Sequence, residues 1–203
     1  MKTHNKLSQE NLTAQLAHQI LVEGNERFVQ NVKTQRNLKD QVVATSEGQY
    51  PFAVILSCID SRVPAELVFD QGIGDVFSVR VAGNIVNEDV LGSMEYACKV
   101  AGSKIVVVMG HTKCGAVTAA CNHVELGNIT TLLQKIQPAV KIIEADVSEM
   151  NDENIEKVSK LNVQLSIERI RKESKILAEL ENEGTIEIVG AIYDVSTGKV
   201  DFC

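Results

Sequence analysis

Two stretches, PFAVILS at residues 51–57 and KIVVVMG at 104–110, constrain the fold of this chain most. Both are continuously apolar and carry β-branched residues, without the in-out alternation of a strand that has one face in water. Strands of this kind need cover on both faces. Two further strand patterns join them. DVFSVRVAGN sets Val76, Ser78 and Arg80 against Phe77, Val79 and Val81, and TIEIVGAIYDVSTGKVDF reads as a final strand, an STGK turn and a short return. Helical patterns lie between. NEDVLGSMEYACKVAG has Asn87 as its cap and Gly102 as its stop, and residues 128–183 keep a helical period with an interruption at Pro138. Strands alternating with helices predict an α/β fold with a mainly parallel central sheet flanked by helices.

The chain reads as one domain over residues 1–203, with residues 1–31 as an N-terminal helical arm. From Ser8 to about Asn31 the apolar positions Leu12, Leu16, Ile20 and Phe28 fall near one face of a helix. The segment that follows, KTQRNLKDQVVATSEGQY, is polar and reads as a connection. Residues 128–183 carry mixed charges and no visible chemistry, so they are expected to be solvated helix faces above an apolar stripe. The 44% hydrophobic content of 203 residues suffices for a real core. With 27 acidic against 20 basic side chains the net charge is −7, which argues against a nucleic-acid partner. No apolar run approaches the roughly 18 to 20 residues that span a bilayer, and the start MKTHNKLSQENLTAQ has no signal-like core, so a cytoplasmic protein with no membrane partner is expected.

The apolar runs end on reactive side chains. PFAVILS leads into Cys58, Asp60 and Arg62, and KIVVVMG into His111 and Cys114. In open parallel sheets ligands bind beyond the carboxyl ends of the strands, so residues 58 and 111 can meet at one edge despite their separation. In a reducing cytosol five cysteines read as thiols, buried or metal-bound. Two thiolates and an imidazole suit zinc, and three protein ligands leave one tetrahedral position open, as in catalytic rather than structural sites. Asp60 could fill that position or orient a water, and a bidentate Arg62 would keep it ionised and aimed. N–H groups at the helix start around Gly115 would favour a thiolate. Cys98 reads as packed inward, Cys121 and His123 lie past the first turn of their helix, and Cys203 reads as incidental.

LVEGNERF, CIDSRVPAE, RVAGN, MEYA, GHTKCGA and GAIYDVSTG occur in that order, and through them the chain resembles the beta-class carbonic anhydrases over nearly its whole length. The resemblance implies zinc held by Cys58, His111 and Cys114, reversible hydration of carbon dioxide to bicarbonate, and an Asp60–Arg62 catalytic dyad. It also implies a substrate pocket in which Gln49 reaches the substrate, Phe77 and Tyr96 line the walls partly across a dimer interface, and the Gly115 N–H faces the bound anion. A homodimer or homotetramer follows, with the arm wrapped onto a neighbour. One subgroup of the family closes zinc with its aspartate and binds regulatory bicarbonate beside a tryptophan, an arginine and a tyrosine. Here Arg80 and Tyr193 occupy the latter two places, but Ile55 replaces the tryptophan and the chain has none. The open form is therefore expected near neutral pH, with Asp60 on Arg62 and water at the metal. No proton shuttle is obvious; His4, His18 and His123 are weak candidates. The rival readings are a hydrolase of carbonyl sulfide or carbon disulfide on the same scaffold, and a zinc- or bicarbonate-binding module without turnover.

Overall fold

The computed structural model describes residues 3–203. Four parallel strands, β1 (Ala53–Ser57), β2 (Val76–Arg80), β3 (Ile105–His111) and β4 (Glu187–Tyr193), form one sheet with β5 (Val200–Phe202) antiparallel to β4. The order is β2-β1-β3-β4-β5. Every residue of β1 and β3 is buried, as their unbroken apolar runs require, whereas β2 lies at the sheet edge with part of its surface in water.

Side chains sort onto two faces by the two-residue period of a strand. Val54, Leu56, Val106, Val108 and Ile188 join one cluster with α9 (Asp152–Glu173), α10 (Lys175–Asn182) and α5 (Glu88–Glu95). Ala53, Ile55, Ile105, Val107 and Met109 join another with α2 (Ala14–Val29) and α4 (Ala65–Val68). A third cluster sits beyond the strand ends, where α6 (Gly115–Cys121), α7 (Gly127–Leu133) and α8 (Gln137–Asp146) gather around Cys58 and Cys114. Since β1 has β2 on one side and β3 on the other, the chain changes winding direction there. The carboxyl ends of β1 and β3 flank the resulting crevice, the usual ligand position in such sheets.

The arm is two helices, α1 (Lys6–Glu10) and α2, separated where Thr13 caps α2 by accepting the Leu16 N–H. Its most buried line runs through Ala17, Leu21 and Gly24; of the expected stripe, Leu12, Ile20 and Phe28 pack against the same cluster, and Leu16 is half exposed. Close approach is the reason. A Cβ on Gly24 would lie 1.9 Å from the Phe69 carbonyl oxygen, so only glycine lets α2 settle this near the loop after α4. The neighbouring motif residues complete the dock. Asn25 donates to the carbonyls of Val68 and Gly198 and accepts from the Val200 N–H. Arg27 Nε reaches Asp70 Oδ2 at 2.7 Å, and Arg36 Nη1 reaches Oδ1 at 2.6 Å. Thr34 adds its N–H and hydroxyl to Oδ2. Burial alone would push the Asp70 carboxyl up, but these donors outweigh it and hold it at about 2.

Three local differences from the sequence reading have simple causes. The polar segment before β1 contains a helix, α3 (Leu38–Ala44), whose Asn37 cap accepts the N–H groups of Lys39 and Asp40. The helix begun at Glu88 loosens into one π turn, Tyr96–Val100, before Gly102 turns the chain with φ of 84°. Residues 128–183 form four helices, and Pro138 stands in the first turn of α8, where its missing N–H has no helical acceptor to lose.

Candidate active site

Cys58 follows β1, His111 is the last residue of β3, and Cys114 precedes α6. All three are buried, and their ligand atoms lie within 4.8 Å of one another. The expected trio is therefore assembled by neighbouring strands in register, Ser57 opposite Met109.

The polar atoms of the cluster point to a cation. His111 Nδ1 lies 2.9 Å from the Thr112 carbonyl oxygen, which can only accept, so Nδ1 carries the proton and Nε2 presents its lone pair. His111 Nε2 is fully buried with no hydrogen-bond partner. A lone pair abandoned in a dry site is costly, and coordination satisfies it. The Cys114 thiol draws Cys58 down to about 4 against the opposing effect of burial, aided by the Gly83 N–H. Cys114 is correspondingly pushed up by its bond to Cys58 and by burial. A divalent cation relieves both, because each sulfur can then hold negative charge. The donor set of two sulfurs and one nitrogen fits zinc.

Asp60 lies beside this cluster, its Oδ2 4.0 Å from His111 Nε2. Arg62 grips it from two sides. Its backbone N–H and Nε both donate to Oδ1 at 2.9 Å, and Nη2 donates to Oδ2 at 2.8 Å. These bonds lower the Asp60 carboxyl to about 2, although burial opposes them. Arg62 Nη2 also donates to the Lys113 carbonyl, tying the turn after β1 to the turn after β3. Arg80, in the place of the subgroup's arginine, donates to the carbonyls of Cys58 and Asp60 at 3.1 and 2.7 Å. Ile55, in the place of the subgroup's tryptophan, is buried in the sheet core, and Tyr193 is buried in the same cluster.

Gly83, within the RVAGN motif, supports the cluster directly. Its N–H donates to Cys58 Sγ at 3.3 Å, with φ of 66° and no room for a side chain: a Cβ would meet Ile136 Cδ1 at 2.6 Å. Asn162, buried on α9, holds the Gly83 carbonyl at 3.0 Å. Nothing local in the mixed-charge pattern of residues 128–183 marks Asn162, because its partner is 79 positions away.

Of the remaining expected residues, Gly115 adjoins Cys114, whereas Phe77 and Tyr96 line a separate groove. Phe77 and Tyr96 meet edge to face, centroids 6.2 Å apart, and line a groove of about 630 Å³ with Val79, Glu88 and Gly92. None of the three candidate ligands lines that groove. Gln49 is exposed before β1. Gly115 opens α6 directly after Cys114, and a Cβ there would meet nothing within 4 Å.

A family model described as carbonic anhydrase matches residues 53–200. The chain belongs to the carbonic anhydrase family. It is 35% identical over 189 residues to carbonic anhydrase 2 of Mycobacterium tuberculosis, covering 90% of this chain and 89% of that protein. It is 34% identical to the carbonic anhydrase of Mycolicibacterium smegmatis, covering 91% of each. Among solved structures it resembles the beta-carbonic anhydrase CafA of Aspergillus fumigatus, with a TM-score of 0.75, 28% identity and 81% of each chain covered. The beta class is thus shown by fold and sequence together. Its cofactor is zinc, which the cluster of Cys58, His111 and Cys114 is able to bind.

Proposed function

We propose that Asp60, Arg62, Gln49, Phe77, Tyr96 and Gly115 form the reactive pocket in which this beta-class carbonic anhydrase hydrates carbon dioxide reversibly to bicarbonate, beside a zinc held by Cys58, His111 and Cys114. The observation that carries the reading is the orphaned Nε2 of His111, aimed into a two-cysteine cluster beside an arginine-gripped carboxylate. When bound, zinc supplies Lewis acidity that makes water acidic enough to furnish hydroxide near neutral pH, for which carbonic anhydrase is itself the standard example.

The chain's own residues do the rest. Asp60, ionised and fixed by Arg62, accepts a hydrogen bond from the attacking water and aims it, while the proton leaves to solvent buffer. The Gly115 N–H and the Gln49 amide bind the oxygens of the anion as charge develops on them. Phe77 and Tyr96 supply apolar wall for carbon dioxide. With both carboxylate oxygens engaged by Arg62, Asp60 favours the open form over closure of the metal. Carbon dioxide in the forward direction and bicarbonate in the reverse are the small-molecule partners. The carbonyl sulfide and carbon disulfide reading is not favoured, since the relatives described above are all named carbonic anhydrases.

We read the chain as one domain with an N-terminal arm, and the working enzyme as a homodimer or homotetramer whose second copy closes the pocket. The separation of Gln49, Phe77 and Tyr96 from the trio supports this, as do the edge position of β2 and the exposure of Ile59 and Tyr96. No described helix is long and apolar enough to cross a membrane. Five unpaired thiols suit the reducing cytoplasm, where we place the protein. The test is zinc content with stopped-flow carbon dioxide hydration for wild type, Cys58→Ser and Asp60→Asn. Zinc-loaded wild type without hydration, but with sulfide release from carbonyl sulfide, would replace this reading by the hydrolase. Asp60→Asn retaining both metal and turnover would remove Asp60 from the chemistry.

A further inference from the structure

Lys113 lies between two metal ligands in a conformation it does not favour. Its φ is 55°, in the left-handed region that costs a residue with a Cβ about 1–2 kcal/mol, so something outside the turn must hold it there. Both polar groups of its backbone are taken. Arg62 Nη2 donates to its carbonyl at 3.2 Å, and its N–H donates to Glu156 Oε1 at 2.7 Å. The second bond is charge-assisted and short, the stronger kind for this pairing. Glu156 is half buried on α9, 43 positions away in sequence.

The anchor is rigid. Ile155 and Val158, on either side of Glu156 along α9, are buried in the same cluster as Cys58 and Cys114. The helix that presents the carboxylate is therefore packed directly against the ligand-bearing turns. Asn162, two turns further on, holds Gly83, whose N–H reaches Cys58 Sγ. One face of α9 thus supports the cluster from two directions. Glu156 acts on the span between His111 and Cys114, and Asn162 on the third ligand.

We infer that Glu156 is a positioning residue: by accepting the Lys113 N–H it holds the His111–Cys114 turn in its left-handed conformation, fixing the spacing of those ligands and the aim of Arg62 on Asp60. The inference rests on the metal and dyad assignments made above, but its test does not depend on turnover. Zinc holoenzyme of wild type, Glu156→Ala and Glu156→Gln is mixed with a chromogenic zinc chelator, and the rate of zinc release is followed alongside kcat, KM and Tm. Glutamine keeps the Oε1 acceptor while alanine removes it. The expected result is zinc release at least about 10-fold faster in Glu156→Ala, with a kcat loss of about 10-fold at unchanged KM, and values within about twofold of wild type in Glu156→Gln. Unchanged zinc release in Glu156→Ala overturns the inference whatever happens to kcat. Equal acceleration in both variants also overturns it, because charge rather than the bond to Lys113 would then be responsible. A wild type that binds zinc but does not hydrate carbon dioxide overturns the proposed function instead, and the release rates still decide the role of Glu156.

Discussion

Among the described residues two aspartates are gripped by arginine, and they have opposite fates. Asp70 is 4% exposed at its side chain and gives Oδ2 to Arg27 and to both donors of Thr34, and Oδ1 to Arg36. Its partners come from the arm and the segment after it, so these bonds join separate parts of the chain. Asp60 is 16% exposed, its arginine is two residues away and half exposed, and its Oδ2 faces the metal cluster at 4.0 Å. Both carboxyls are lowered to about 2. A lowered carboxyl therefore does not distinguish catalysis from architecture. What distinguishes them is the neighbour each carboxylate still faces after the arginine is satisfied, which is a buried Cys-His cluster in one case and the N–H and hydroxyl of Thr34 in the other.

Metal removal should separate the two regions most sharply. Cys58→Ser, or stripping zinc with a chelator, is expected to leave less than about a hundredth of wild-type hydration activity, measured against bound zinc, with the arm still docked. Asp60→Asn comes next, with kcat reduced about 100-fold and Tm nearly unchanged, the size of effect associated with losing the group that aims the attacking water. Asp70→Asn should show the reverse. Removing one partner of a buried charge cluster costs about 3 kcal/mol in denaturant unfolding, while kcat per folded molecule stays at the wild-type value. If Asp70→Asn lost turnover without losing stability, the division between the two aspartates would fail.

The pH dependence sharpens the same contrast. The folded Asp70 carboxyl, at about 2, lies below its unfolded value of about 3.9, so its ionised form stabilises the fold. That stabilisation is complete above about pH 5 and is lost as pH falls toward 2. The gap in unfolding free energy between wild type and Asp70→Asn should narrow by about 1 kcal/mol from pH 6 to pH 3. A constant gap would mean that the cluster is held by packing rather than by charge. The smallest effect is expected at Lys113→Gly, where relief of the left-handed φ should raise stability by up to about 1 kcal/mol, with zinc release unchanged because the backbone N–H to Glu156 remains.

Much of this was legible in the chain itself. PFAVILS and KIVVVMG could only be strands covered on both faces, and an apolar run leading straight into Cys58 or His111 locates a site at its carboxyl end. The bidentate Asp60–Arg62 pair was readable because its members are two residues apart and their geometry is nearly local. The arm was readable as helix and in most of its facing but not at Leu16, since Leu16 and Ala17 compete for the buried side and the winner depends on how closely Gly24 can approach Phe69. Helix α3 had a visible signal in Asn37, a strong cap ahead of LKDQVVA, masked by the polar character of the segment.

What the sequence by itself determined is the chemistry: two sulfurs, an imidazole, a carboxylate and a guanidinium placed by short-range spacing at the ends of two dry strands. Only the tertiary structure decided what holds those groups at working distance. Gly83, Asn162 and Glu156 reach the site from 25 to 79 positions away, through single hydrogen bonds to backbone atoms or to sulfur. Such bonds require no particular side chain beside them in the sequence and leave no periodic trace. Their partners are chosen by how α9 packs across the sheet, which is a property of the assembled core and not of any segment within it.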